Sequence, residues 1–159
     1  MQKVTDAFLM KLLWKLITDM NSLVAKVFSH RYIRDKNIIG TLCSKQADSP
    51  LWKELVKLWP LLIENCSCNI GDGMRTLLWL NRWVQDEECL ITKNLLHIED
   101  IDIKAKVANL TDDSGGWNFH ELRRVLPQAI LEKIQTIIPP KQRMDDTIKW
   151  NDKPLFYGL

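Results

Sequence analysis

Seven tryptophans against only two tyrosines constrain this 159-residue chain more than any other feature. An indole left in water keeps a large apolar surface hydrated, so these rings must be buried together or turned toward a partner. A chain of this length can build the core that such burial needs. Hydrophobic residues are 46% of the sequence, which excludes wholesale disorder.

Periodicity then says what the core is built from. Leu9, Leu13, Leu16, Ile17 and Met20 recur at three-and-four spacing, which predicts a helix over 6–18. Asn21-Ser22 reads as a helix start, with Leu23, Val24, Val27 and Phe28 as the apolar stripe of a second helix. Residues 34–48 are polar and read as a loop. Ser49-Pro50 is the cleanest local signal. Serine caps orphan amides, and proline fits the first helical position because its missing N–H is not needed there. Trp52, Leu55, Val56 and Trp59 follow as a buried face, and Pro60 is expected to kink or end that helix.

Beyond this point the period changes. Cys66, Cys68 and Ile70 alternate with polar residues, Gly71-Asp72-Gly73 has turn chemistry, and Thr76 to Trp79 is β-prone, which predicts a short hairpin. A short helix is expected at 103–110, another from Trp117 to Leu122, and a third from Pro127 containing Ile130, Leu131 and Ile134. Thr147 to Trp150 and Leu155 to Tyr157 read as weak strands around Asn151-Asp152-Lys153, and the ending has the look of a truncation. The expected fold class is mainly α with a small β-hairpin (α+β), and with its truncated look it reads as a helical fragment of a larger chain. Its segments would be 1–48, a basic helical hairpin and loop; 49–110, a helix plus hairpin with the Gly-Asp-Gly turn; and 111–159, a helical segment ending in a truncated hairpin. They are expected to form one unit rather than independent domains.

Candidate chemistry is mostly absent. Cys66-x-Cys68 is spaced by one residue, whereas structural zinc uses pairs two to four apart, twice over. Cys43, Cys89 and His97 supply no second pair, so no metal is expected. Asp112-Asp113 precedes Ser-Gly-Gly, where aspartate favours turns, and Asp145-Asp146 precedes a strand, so neither is read as catalytic. His30, His97 and His120 have no nucleophile beside them. Gly71-Asp72-Gly73 is too short for a phosphate-cradling loop and is read as a turn. No catalytic residue and no cofactor are assigned.

Charge is uneven. Residues 1–45 hold eight Lys/Arg against three Asp/Glu, residues 46–116 seven against twelve, and residues 117–159 seven against five, so the net +2 hides a basic first third and an acidic middle. Lys11, Lys15, Lys26, Arg31 and Arg34, with Tyr32, could combine phosphate contact with stacking; a solvated polar face is the bland alternative. No secretory signal or membrane span is read. The expected compartment is cytoplasm or nucleus with reduced thiols, and no membrane partner is expected.

The ordered segments Lys11-Leu12-Leu13-Trp14-Lys15-Leu16, Ser49-Pro50-Leu51-Trp52-Lys53, Ile70-Gly71-Asp72-Gly73, Leu78-Trp79-Leu80-Asn81-Arg82-Trp83, Val107 to Leu110, Gly116-Trp117, Leu126-Pro127 and Trp150 resemble the polyprotein of plant LINE-type non-LTR retrotransposons. The similar region lies between the reverse transcriptase core and the zinc-binding and ribonuclease H segments. Free-standing plant proteins termed reverse transcriptase-like or putative ribonuclease H are similar to it. Where that family has Phe-Trp-x-Asp-x-Trp, this chain has Leu78, Trp79, Asn81 and Trp83, so the acidic residue is lost. The resemblance implies a non-catalytic connector, since the polymerase and ribonuclease H carboxylates lie outside the similar region. Weak, non-specific RNA or DNA binding is then the expected activity. The alternative is a protein-interaction scaffold, able to self-associate, or a relic with no activity.

Overall fold

The computed structural model describes residues 2–33, 42–141 and 143–151. Helix α1 (Gln2–Thr18) leads through a turn into α2 (Leu23–Arg31), where the Ser22 hydroxyl accepts the Ala25 N–H at 3.2 Å. Helix α3 (Pro50–Glu64) starts as its sequence dictates: Pro50 opens it and the Ser49 hydroxyl accepts the Trp52 N–H at 3.2 Å. Strand β1 (Cys66–Asn69) follows at once. Short 3-10 turns occur at Leu90–Thr92, Ile98–Asp100 and Val107–Leu110. Helices α4 (Phe119–Val125) and α5 (Gln128–Gln135) and strand β2 (Thr147–Trp150) complete the described elements.

Pro60 does not end α3. It lies exposed within the helix, which runs on to Glu64. Proline removes one backbone hydrogen bond there, but Trp52, Leu55, Trp59 and Leu62 lie buried on the other face, and their packing outweighs that loss. The expected helix at 103–110 is only a 3-10 turn, and the helix expected to open at Trp117 starts at Phe119, capped by Asn118.

The fold class holds: mainly α, with one two-stranded antiparallel element. Its pairing is not the expected local hairpin. β1 pairs with β2 from far downstream, and the Asn151 N–H to Asn65 C=O bond of 2.8 Å continues the ladder. The β-prone stretch after the Gly-Asp-Gly turn runs elsewhere: Leu77 bridges Lys106, and the Leu78 N–H donates to the Ala105 carbonyl at 2.8 Å. The expected strand at Leu155 to Tyr157 lies outside the described residues.

The described chain forms two compact units. The first comprises residues 2–33, 42–66 and 150–151. In it α1 packs on α3 and α2. Trp52 is fully buried, with Tyr32 stacked on it at 4.4 Å and 7° and Phe28 beside it at 5.8 Å, and its indole N–H donates to the Cys43 carbonyl at 3.1 Å. Trp14 meets Trp150 edge-on at 5.6 Å.

The second unit spans residues 67–149, and three buried indoles lie in its core among aliphatic side chains such as Leu90, Val107, Leu122 and Ile134. Trp83 stacks on Trp117 at 5.6 Å. The Trp83 N–H donates to the Leu78 carbonyl at 3.0 Å, and that of Trp117 to the Ile137 carbonyl at 2.9 Å. Trp52, Trp59 and Trp79 are all buried, as the composition required.

Candidate nucleic-acid interface

Lys11 and Lys15 stand on α1 one turn apart and both are exposed. The solvent stripe of that helix reads Val4, Phe8, Lys11, Lys15, at the spacing of one helical face. On α2 the exposed set is Leu23, Lys26, Val27, His30 and Arg31, again one face. Arg34 lies outside the described residues. Among the described residues none of Lys11, Lys15, Lys26 or Arg31 enters an ion pair.

Two features depart from expectation. Leu23 and Val27 belong to the apolar stripe expected of α2, but they are 78% and 58% exposed, and Ala25 is the buried position instead. A nine-residue helix buries the face its neighbours reach, and here that face centres on the small alanine. Tyr32, expected to offer a stacking platform, has one ring face against Trp52, and the Arg31 guanidinium carbon sits 5.4 Å from its ring centroid. Tyr32 therefore braces Arg31 rather than presenting an open ring. Phe8, at 66% exposure, is the open aromatic on α1.

The Gly71–Thr76 loop holds the least anticipated side chain. Asp146 is 2% exposed. Its Oδ1 accepts the N–H groups of Gly71 at 2.7 Å and Gly73 at 2.8 Å, and its Oδ2 accepts the Arg75 N–H at 3.0 Å and the Thr76 hydroxyl at 2.9 Å. The loop cradles an anion after all, but the anion is a carboxylate of the same chain. Only glycine fits. A Cβ on Gly71 would lie 2.3 Å from the Met144 and Asp145 carbonyl oxygens, and Gly73 has φ +70° with the Ala108 nitrogen 2.6 Å from where its Cβ would stand. The glycine pair was a usable signal in the sequence; the identity of the carboxylate was not, because it is 75 residues away from Gly71. Asn81, where the similar family carries aspartate, is buried and its Oδ1 accepts the Leu77 N–H at 2.7 Å, so an uncharged amide is enough to hold that turn.

The remaining candidates resolve into structure. Cys66 and Cys68 share the buried face of β1, as alternation requires, and burial pushes the Cys66 thiol up to about 12. Burial likewise raises the Cys89 thiol, whose S–H donates to the Leu80 carbonyl at 2.9 Å. Asp112 closes its turn by accepting from the Ser114 hydroxyl and from the Ser114 and Gly116 N–H groups, and the hydroxyl bond above all holds its carboxyl below the usual range. Among the described residues no three His, Cys, Asp or Glu side chains converge as a metal site. Iodoacetamide at pH 8 is accordingly expected to alkylate the exposed Cys43 first in the folded protein, with Cys66 and Cys68 reacting only on unfolding. Peptide mapping of alkylated protein checks this, and early labelling of Cys66 would contradict it.

No protein-family model matches the chain. No solved structure matches it either. Over 82 residues it is 27% identical to an uncharacterized mitochondrial protein of Arabidopsis thaliana, a match covering 52% of this chain and 53% of that protein. The matched part thus spans about half the length of this curated relative.

Proposed function

We propose that this chain is a non-catalytic connector derived from a retrotransposon reverse transcriptase polyprotein, and that it contacts RNA or DNA weakly and without sequence preference through α1 and α2. The observation that carries the reading is the placement of Lys11, Lys15, Lys26 and Arg31, all exposed, outside any described ion pair and on the solvent faces of adjoining helices. The ordered segments of the resemblance support the connector assignment, and the match to a plant protein accords with it. The reading assigns no catalytic residue, metal, cofactor or membrane partner.

Four such cations can engage only a few phosphates, so affinity at physiological salt falls in the micromolar range or weaker typical of non-specific binding. Replacing Lys11, Lys15 and Arg31 together by Ala is expected to weaken binding to a labelled single-stranded oligonucleotide about tenfold at low salt and to flatten the salt slope by about 2. Binding that the triple substitution leaves untouched, or none at high micromolar protein, removes the reading.

A second reading rests on a different observation. Val4, Phe8, Leu23 and Val27 are 77%, 66%, 78% and 58% exposed, which suits a protein-interaction scaffold or self-association. Apolar association is insensitive to rising salt or strengthens with it, whereas phosphate contact weakens steeply, so one salt titration separates the two.

A further inference from the structure

We propose that the rim of the Gly71–Thr76 loop, in the second compact unit, is a separate phosphate-contacting surface for single-stranded nucleic acid, carried by Lys104, Lys141 and Arg143. Three chain segments meet at this loop through backbone contacts. The Lys141 N–H donates to the Gly71 carbonyl at 2.8 Å, the Ala108 N–H to the Gly73 carbonyl at 3.0 Å, and the Val107 N–H to the Thr76 carbonyl at 3.0 Å. Pro140 and Ala108 both crowd Gly73, and the Met144 and Asp145 carbonyls crowd Gly71. These contacts fix the backbone from which the side chains project, and Arg143 lies in the left-handed region at φ 73°.

Three of the acids near the loop are engaged by donors. The Asp146 carboxylate is buried and engaged by four donors, while Asp72 and Asp102 turn side-chain oxygens onto the Met74 and Lys104 N–H groups at 2.9 and 3.0 Å. Lys104, Lys141 and Arg143 stay exposed, and Asp102 and Asp145 are the exposed acids beside them. Counting charge along the sequence conceals this, because Lys104 belongs to the acidic middle and the other two to the last third. Met74 and Met144, 58% and 57% exposed, flank the rim, and such pliable side chains can pack on bases that only a single strand presents.

The test is lysine acetylation of the intact protein with and without a single-stranded RNA of roughly 20 nucleotides, longer than one module's footprint. Lys104 and Lys141 are expected to be acetylated several-fold more slowly when RNA is bound. Replacing Lys104, Lys141 and Arg143 by Ala is expected to weaken binding about tenfold at low salt and to lower the salt slope by about 2. Protection of Lys11 and Lys15 alone overturns this proposal and leaves the α1–α2 reading standing; protection of Lys104 and Lys141 alone does the reverse. Unchanged affinity in the variant, or no binding by the wild type, also overturns it. The footprint needs no substitution, so a variant that misfolds does not decide the matter.

Discussion

Replacing Asp146 by Ala is expected to lower the free energy of unfolding by about 3–5 kcal/mol, the scale for removing one side of a buried charged network. The carboxylate is 2% exposed and accepts three backbone N–H groups and one hydroxyl. Deleting it removes the acceptor that the Gly71, Gly73 and Arg75 N–H groups share, and both glycines are buried. Asp146→Asn should cost less but still measurably. Its oxygen can serve Gly71 and Gly73, but its amide would then face the Arg75 N–H, donor against donor. Gly71→Ala should destabilise comparably to Asp146→Ala, because its Cβ would lie 2.3 Å from two carbonyl oxygens that belong to the backbone and cannot swing aside. Urea unfolding followed by circular dichroism measures all three. A loss under about 1 kcal/mol for Asp146→Ala, no more than one ordinary hydrogen bond, would mean that the cradle does not organise the loop.

Trp52→Ala is expected to cost about 4 kcal/mol, within the range for emptying a buried aromatic site. The indole is fully buried, stacks on Tyr32 at 4.4 Å, adjoins Phe28 at 5.8 Å and donates to the Cys43 carbonyl. Alanine leaves a cavity, two aromatic rings without their partner and an acceptor without its donor. Trp52→Phe keeps most of the ring contact and loses the N–H, so it should cost only about 1–2 kcal/mol. Total stabilities of small domains are about 5–15 kcal/mol, so the alanine variant should unfold at markedly lower urea. Far-ultraviolet circular dichroism is the suitable probe, since it does not depend on the residue replaced. Equal losses for Ala and Phe would show that the hydrogen bond, not the packing, sets the effect.

How much of this was legible in the residues depends on how far apart the interacting groups lie. Helices α1, α2, α3 and α5 follow from apolar spacing and from caps that reach three residues along the chain, such as Ser22 to Ala25 and Ser49 to Trp52. The alternation of Cys66 and Cys68 correctly placed both thiols on one buried face. The exposure of Lys11, Lys15, Lys26 and Arg31 was likewise readable, but the faces that carry them also hold the exposed Val4, Phe8, Leu23 and Val27. Leu23 and Val27 were misread for a reason just as plain. Periodicity identifies an apolar face but not whether a neighbour covers it.

The sequence by itself determined helices α1, α2, α3 and α5, the capped starts of α2 and α3, and the burial of the central indoles, because each is set by contacts within a few residues or by the cost of hydrating a large ring. Only the tertiary structure decided that β1 pairs with β2 and that Gly71-Asp72-Gly73 closes around Asp146, 75 residues from Gly71. An aspartate in a polar stretch carries no local mark of its partners. Whether it lies in solvent or at the centre of a loop is fixed by which distant backbone N–H groups the folded chain brings to it, and by the lack of room for anything larger than glycine beside it.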